Sequence, residues 1–131
     1  MVYSVFLYPV EGSIDVAVVE QFLAKQPDVL LDPVGSGIYM VCGVPAAKKL
    51  YRKLRLEDPS RFHYAVLVTV KPEYVNVFQE YGDEARLRSA RDIVRWVIEH
   101  LRVRIEDEYG ADWTERVAQD GIRVLYPEKL T

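Results

Sequence analysis

The chain has 131 residues, half of them apolar and 28% charged, with a formal net charge of −3. That composition excludes a disordered chain, and the acidic balance argues against a dedicated nucleic-acid binder, which is usually basic. Cys42 is the single cysteine, so no internal disulfide can form and a reducing, cytoplasmic setting is expected. The opening stretch MVYSVFLYPVEG lacks the positive start of a secretory signal, and no apolar run reaches the length of a membrane span. One domain spanning residues 1–131 is expected, large enough for its own core.

Residues 2–8 are apolar on both alternating sets, which suits a strand buried on two faces. Ser13 offers an N-cap, and Ile14, Val18, Val19, Phe22 and Leu23 form a helical stripe ending near Pro27. Residues 29–31 and 37–43 read as a hairpin around Asp32-Pro33-Val34-Gly35-Ser36. Pro45 opens a second helix that Asp58-Pro59 closes. Residues 62–70 and 74–78 are strands joined by Lys71-Pro72-Glu73. From Gly82-Asp83 the longest helix is predicted to run to about Arg104. A short helix follows, with Asp112 and Glu115 spaced as a capping box and Gly121 placed to end it. Residues 122–126 form a final strand candidate.

The first seventy residues therefore spell β-α-β-β-α-β, the order of a ferredoxin-like unit. The expected fold class is an α+β sandwich of that kind, extended by an extra strand, a long helix, a short helix and a final strand. A fold so widely reused implies no function.

Catalytic and metal signatures are weak. Gly35-Ser36-Gly37 leads into a strand and lacks the helix N-terminus that would hold a phosphate, so it reads as a tight turn. His63 and His100 stand apart from any metal spacing, and Cys42 reads as a buried small hydrophobe. No serine sits in a G-x-S-x-G setting. The run Glu106-Asp107-Glu108-Tyr109-Gly110-Ala111-Asp112 breaks the spacing of a calcium loop. It reads as a solvated acidic linker, or as a surface for a basic partner. No cofactor or metal is expected.

Charge is unevenly distributed. Residues 45–61 carry six Lys/Arg against two acids, whereas residues 105–131 carry three against seven. On the second helix Lys48, Lys49, Arg52, Lys53 and Arg55 oppose an arc of Ala46, Ala47, Leu50, Tyr51 and Leu54. That basic face is the solvated side of an amphipathic helix, an anion site, or an answer to the acidic C-terminal segment of a second copy.

The long helix shows the stripe Leu87, Ala90, Val94, Val97 and Leu101, widened by Ile93, Ile98 and Ile105. Trp96 lies about 130° from its middle at the usual helical rotation, beside His100 and Val103. The C-terminal segment is expected to cover it, through Trp113 or the final strand. The alternative is a partner surface, with Trp96, His100 and Arg104 as an aromatic-cation column.

The partner-binding candidates are thus Trp96, His100, Val103 and Arg104, the basic set Lys48, Lys49, Arg52, Lys53 and Arg55, and Glu106, Asp107 and Glu108. The expected function is a non-enzymatic protein-interaction module, either a homodimer or a small immunity-type inhibitor of another protein. Nucleic-acid and membrane partners are not expected. The competing expectation is a small-molecule-binding or enzymatic α/β domain with a pocket lined by Tyr3, Tyr8, Tyr39, Tyr64 and Tyr74.

Overall fold

The computed structural model describes residues 2–26, 29–31, 37–41, 53, 57, 66–79 and 84–127. In chain order these form β1 (Ser4–Pro9), α1 (Val16–Ala24), β2 (Val29–Leu31), β3 (Ile38–Val41), β4 (Val66–Val70), β5 (Val75–Phe78), α2 (Glu84–His100), β6 (Val103–Asp107) and α3 (Thr114–Asp120). A 3₁₀ turn at Ile122–Val124 follows. The fold is mixed α+β. Among the described residues, no helix is long and apolar enough to cross a membrane.

The six strands form one sheet in the order β2-β3-β4-β5-β1-β6, and every neighbouring pair is antiparallel. α1 connects strands that have three others between them, while β5, α2 and β6 straddle β1. This differs from the expected ferredoxin-like unit on the first seventy residues. β1 is flanked by β5 and β6, both from later in the chain, so those seventy residues do not close a sheet on themselves. The physical reason lies in β1, whose Val5 and Leu7 are fully buried. Val77 and Val75 of β5 pair with them on one side, and Asp107 and Ile105 of β6 on the other.

Period-two alternation divides the sheet into two faces. Tyr39, Val68, Val77 and Val5 fall in one register row, and Val70, Val75, Leu7 and Ile105 in another. This face packs against Val19 and Leu23 of α1 and Leu87, Ala90, Ile93, Val94 and Val97 of α2 in one apolar cluster. The second face carries Met40, Leu67, Phe78 and Ser4 in one row and Ile38, Thr69, Asn76, Phe6 and Glu106 in the next. None of these belongs to the apolar cluster.

Several predicted boundaries move. Asp15, not Ser13, caps α1, its carboxylate accepting from the Val18 amide at 3.4 Å. The long helix stops at His100 instead of running to Arg104, and Val103 and Ile105 alternate with Arg104 and Glu106 along an edge strand. Leu101 and Ile105 happen to satisfy helical spacing as well, which is why the two periods were confusable. In place of the expected final strand at 122–126 stands the 3₁₀ turn Ile122–Val124, followed by the fully buried Leu125 and Tyr126. Gly121 does end α3, at φ 87°.

The tight-turn reading at Gly37 agrees with its backbone. Its φ is 73°, and a Cβ there would lie 2.6 Å from the Val70 carbonyl oxygen. Only glycine fits so close an approach. Gly35, Ser36, Cys42 and His63 lie outside the described residues.

The outer edge of β6 is not open. The Ile105 carbonyl accepts from the Trp113 amide at 2.8 Å, and the Asp107 amide donates to the Ala111 carbonyl at 3.0 Å. The Ile105 amide donates to Thr114 Oγ1 at 2.9 Å. The segment returning into α3 thus takes the place of a seventh strand.

Candidate functional site: the turn after β6

The acidic run is a solvated linker only over residues 108–112, which are exposed. Glu106 and Asp107 end β6, and Asp107 is buried. One carboxylate oxygen of Asp107 accepts from the Tyr109 amide at 2.9 Å and the Ala111 amide at 3.0 Å, and the other accepts from the Trp113 indole Nε1 at 2.9 Å. Short acidic side chains commonly fold a chain back on itself in this way. Burial alone would raise the Asp107 pKa, but the donors Trp113, Ala111 and Tyr109 outweigh it and hold the carboxyl below its ordinary range. Asp107, expected as a partner-facing carboxylate, is therefore an internal anchor.

Its neighbours are used differently. Glu106 pairs with Arg104, with oxygen-to-nitrogen distances of 2.6 and 2.9 Å. The Glu108 carboxylate is exposed and accepts from the Ser4 amide at 3.2 Å. The expected capping box on Asp112 and Glu115 is not formed, since the N-cap position of α3 makes no side-chain cap bond. Trp113 is the N-cap of α3, and Asp112 accepts from the Thr114 amide at 2.8 Å. Bonds from the Thr114 side chain and amide, followed by the Arg104 charge, keep the Asp112 carboxyl below its usual range despite opposing desolvation. Arg116 lies over the Trp113 ring, 4.2 Å from its centre.

At the apex the chain turns through Gly110, at φ 80°, and presents Tyr109, which is 89% exposed. No sequence pattern had singled this residue out. The signal available was an aromatic residue directly before glycine in an acidic run, which marks a turn tip once Asp107 is recognised as its clasp. An open groove of about 640 Å³ is lined by Asp112, Thr114, Glu115, Arg116 and Ala118, where the turn leads into α3.

Trp96 has a different setting. It is half-buried and packs against the core. One ring face stacks on Phe22 of α1 at 4.2 Å and 7°, and it also stacks with His100 at 4.4 Å and 17°. The His100 Nδ1–H donates to the Trp96 carbonyl at 2.8 Å. The cover expected from the C-terminal segment therefore comes from α1. The predicted column does not continue to Arg104, which lies on β6 over the Tyr8 ring at 5.1 Å. Val103 is likewise a strand residue. Of the basic set, Lys53 is helical and exposed, and Lys48, Lys49, Arg52 and Arg55 lie outside the described residues.

Among the described residues, the strand tyrosines are spread over both faces of the sheet. Tyr39 faces the helices and donates to Glu20 at 2.6 Å. Burial first, and the Glu20 carboxylate second, push its phenol well above the usual range. Tyr8 and Tyr74 stand on the second sheet face, Tyr3 is 42% exposed, and Tyr64 lies outside the described residues. A cleft of about 250 Å³ at the far end of β1 is lined by Pro9, Glu11, Ser13, Ile14, Asp15, Leu101 and Arg102. Among the described residues, no group of three His, Cys, Asp or Glu side chains is placed to hold a metal ion. Comparison with protein-family models, with curated proteins and with solved structures finds no match.

Proposed function

We propose that the protein is a protein-interaction module that presents the turn at Tyr109 to a basic protein partner. The observation that carries this reading is the 89% exposure of Tyr109 on a turn clasped by three hydrogen bonds to Asp107. An aromatic ring held out by a pre-ordered backbone loses little conformational freedom on binding, and tyrosine is enriched among residues that dominate interfaces. Glu108, Asp112 and Glu115 are exposed within six residues of it, and residues 105–131 carry seven acids against three Lys/Arg. Complementary charge chooses partners and speeds their encounter. An immunity-type inhibitor is one form of this arrangement, with the acidic tip seated in a basic cleft of the protein it blocks.

The test uses the isotope-labelled chain titrated with an arginine-rich peptide while backbone amide shifts are followed by NMR. Shift changes are expected to concentrate at residues 108–116. Tyr109→Ala is expected to weaken binding by about 10-fold or more, in line with an interface anchor. Shifts scattered over every acidic side chain, with affinity indifferent to Tyr109→Ala, would reduce the effect to general charge attraction and defeat the proposal.

A further inference from the structure

The cleft of about 250 Å³ lies at the other end of β6 from the Tyr109 turn, between the β1–α1 loop and Leu101-Arg102, which join α2 to β6. Two backbone bonds tie its walls together. The Val10 amide donates to the Arg102 carbonyl at 3.1 Å, and the Ile14 amide donates to the Pro72 carbonyl at 2.7 Å. Between Glu11 and Asp15 the loop passes through Gly12 at φ 64°, a left-handed turn that glycine takes without strain. Pro9, Ile14 and Leu101 give the cleft an apolar side, while Glu11, Asp15 and Arg102 give it two carboxylates and one guanidinium. All three charged residues are exposed. Asp15 uses one carboxylate oxygen on the Val18 amide. Among the described residues, neither Glu11 nor Arg102 forms an ion pair. Opposite charges therefore line one cleft without meeting across it.

We infer that this cleft binds a free α-amino acid with an apolar side chain. The charge pattern selects the class of ligand. A plain carboxylate drawn to Arg102 would also meet two acids, and a plain amine drawn to the acids would also meet Arg102. A zwitterion satisfies both. Its carboxylate goes to the guanidinium, whose paired N–H donors match a carboxylate, and its ammonium goes to Glu11 and Asp15. The side chain is left for Pro9, Ile14 and Leu101, in the usual division of a small-molecule site into apolar walls and a few polar groups. The cleft is smaller than the roughly 300–1,000 Å³ of sites for drug-sized molecules, which suits a single amino acid.

The test titrates the isotope-labelled chain with glycine, alanine, valine and leucine up to about 10 mM, enough to resolve a Kd of about 1 mM or below. Leucine should give saturable amide shifts at residues 9–16 and 101–103, and glycine should bind more weakly for want of apolar contact. Leucinamide lacks the carboxylate and 4-methylpentanoate lacks the ammonium. Each should bind about 10-fold or more weakly than leucine, the scale of one lost bond to a charged group. This ligand series uses the wild-type chain, so its outcome does not depend on any variant folding. Arg102→Gln and Glu11→Gln should each weaken leucine binding, and Tyr109→Ala should leave it unchanged. The absence of saturable shifts with all four amino acids overturns the inference, as does leucine affinity indifferent to both charge substitutions. Leucinamide binding as tightly as leucine, and surviving Arg102→Gln, would give the cleft to a plain amine and overturn it as well.

Discussion

Trp96 and Tyr109 sit thirteen positions apart in the sequence, and their surroundings are opposite. The tryptophan, which helical geometry sets off the apolar stripe, is held between Phe22 and His100 and closes the seam between α1 and α2. The tyrosine, inside a run dominated by charge, stands almost fully in solvent. A helical wheel gives the side of a helix on which a residue lies, not what faces that side across space. A turn tip, by contrast, is set by bonds within a few residues. Here all three donors to Asp107 come from within six residues of it.

That contrast can be broken at its strongest point first. Asp107→Ala strands three donors and should cost about 3–4 kcal/mol, since each buried group left without its partner costs on the order of 1–3. Urea unfolding at neutral pH would measure this. The Asp107 pKa is lowered in the folded chain, so its stabilisation is present above the unfolded carboxyl range and is lost as pH falls through the folded value. The gap between wild type and Asp107→Ala should accordingly shrink in acid. A gap of constant size across that range would mean the bonds do not depend on the charge.

Trp96→Ala comes next, at about 2–3 kcal/mol, below the usual cost of a fully buried tryptophan because one edge of the ring is open. Thermal melting checks it, and an unchanged melting temperature would remove the residue from the core. His100→Ala should lose about 0.5–1.5 kcal/mol, the scale of one aromatic stack, together with a visible change in Trp96 fluorescence. Tyr109→Ala should stay within about 0.5 kcal/mol of wild type, as exposed substitutions usually do. A substantial loss of stability there would show that the ring is part of the fold.

The same two residues show what could be read from the sequence. The alternation in 66–70 and 75–78, the hairpin at 29–41 and the apolar stripe from Leu87 to Val97 depend on local period, and they survive as elements. The order of strands does not depend on period. Nothing in residues 4–9 says that β5 and β6 will flank them, because that choice is made by long-range pairing of Val5 and Leu7 with residues about seventy to one hundred positions away. The end of α2 was hidden for a related reason. Leu101 and Ile105 fit a helix by spacing, and only the edge pairing with Leu7 and the bond to Thr114 make Ile105 a strand residue. The candidate site was half legible: the acidic residues were found, but which carboxylate turns inward depended on the Trp113 indole six residues on.

The closed outer edge of β6 has a consequence for how the protein behaves when crowded. Exposed strand edges act as templates on which other chains can grow fibrils, and natural sheets blunt them. In this chain the blunting is done by the same short return that holds Tyr109 outward, with the Ile105 and Asp107 backbone already bonded to residues 111–114. A chain in which that clasp opens would keep its sheet and expose a ready β6 margin. Aggregation, rather than unfolding, is then the expected first fate of variants that damage the Asp107 clasp.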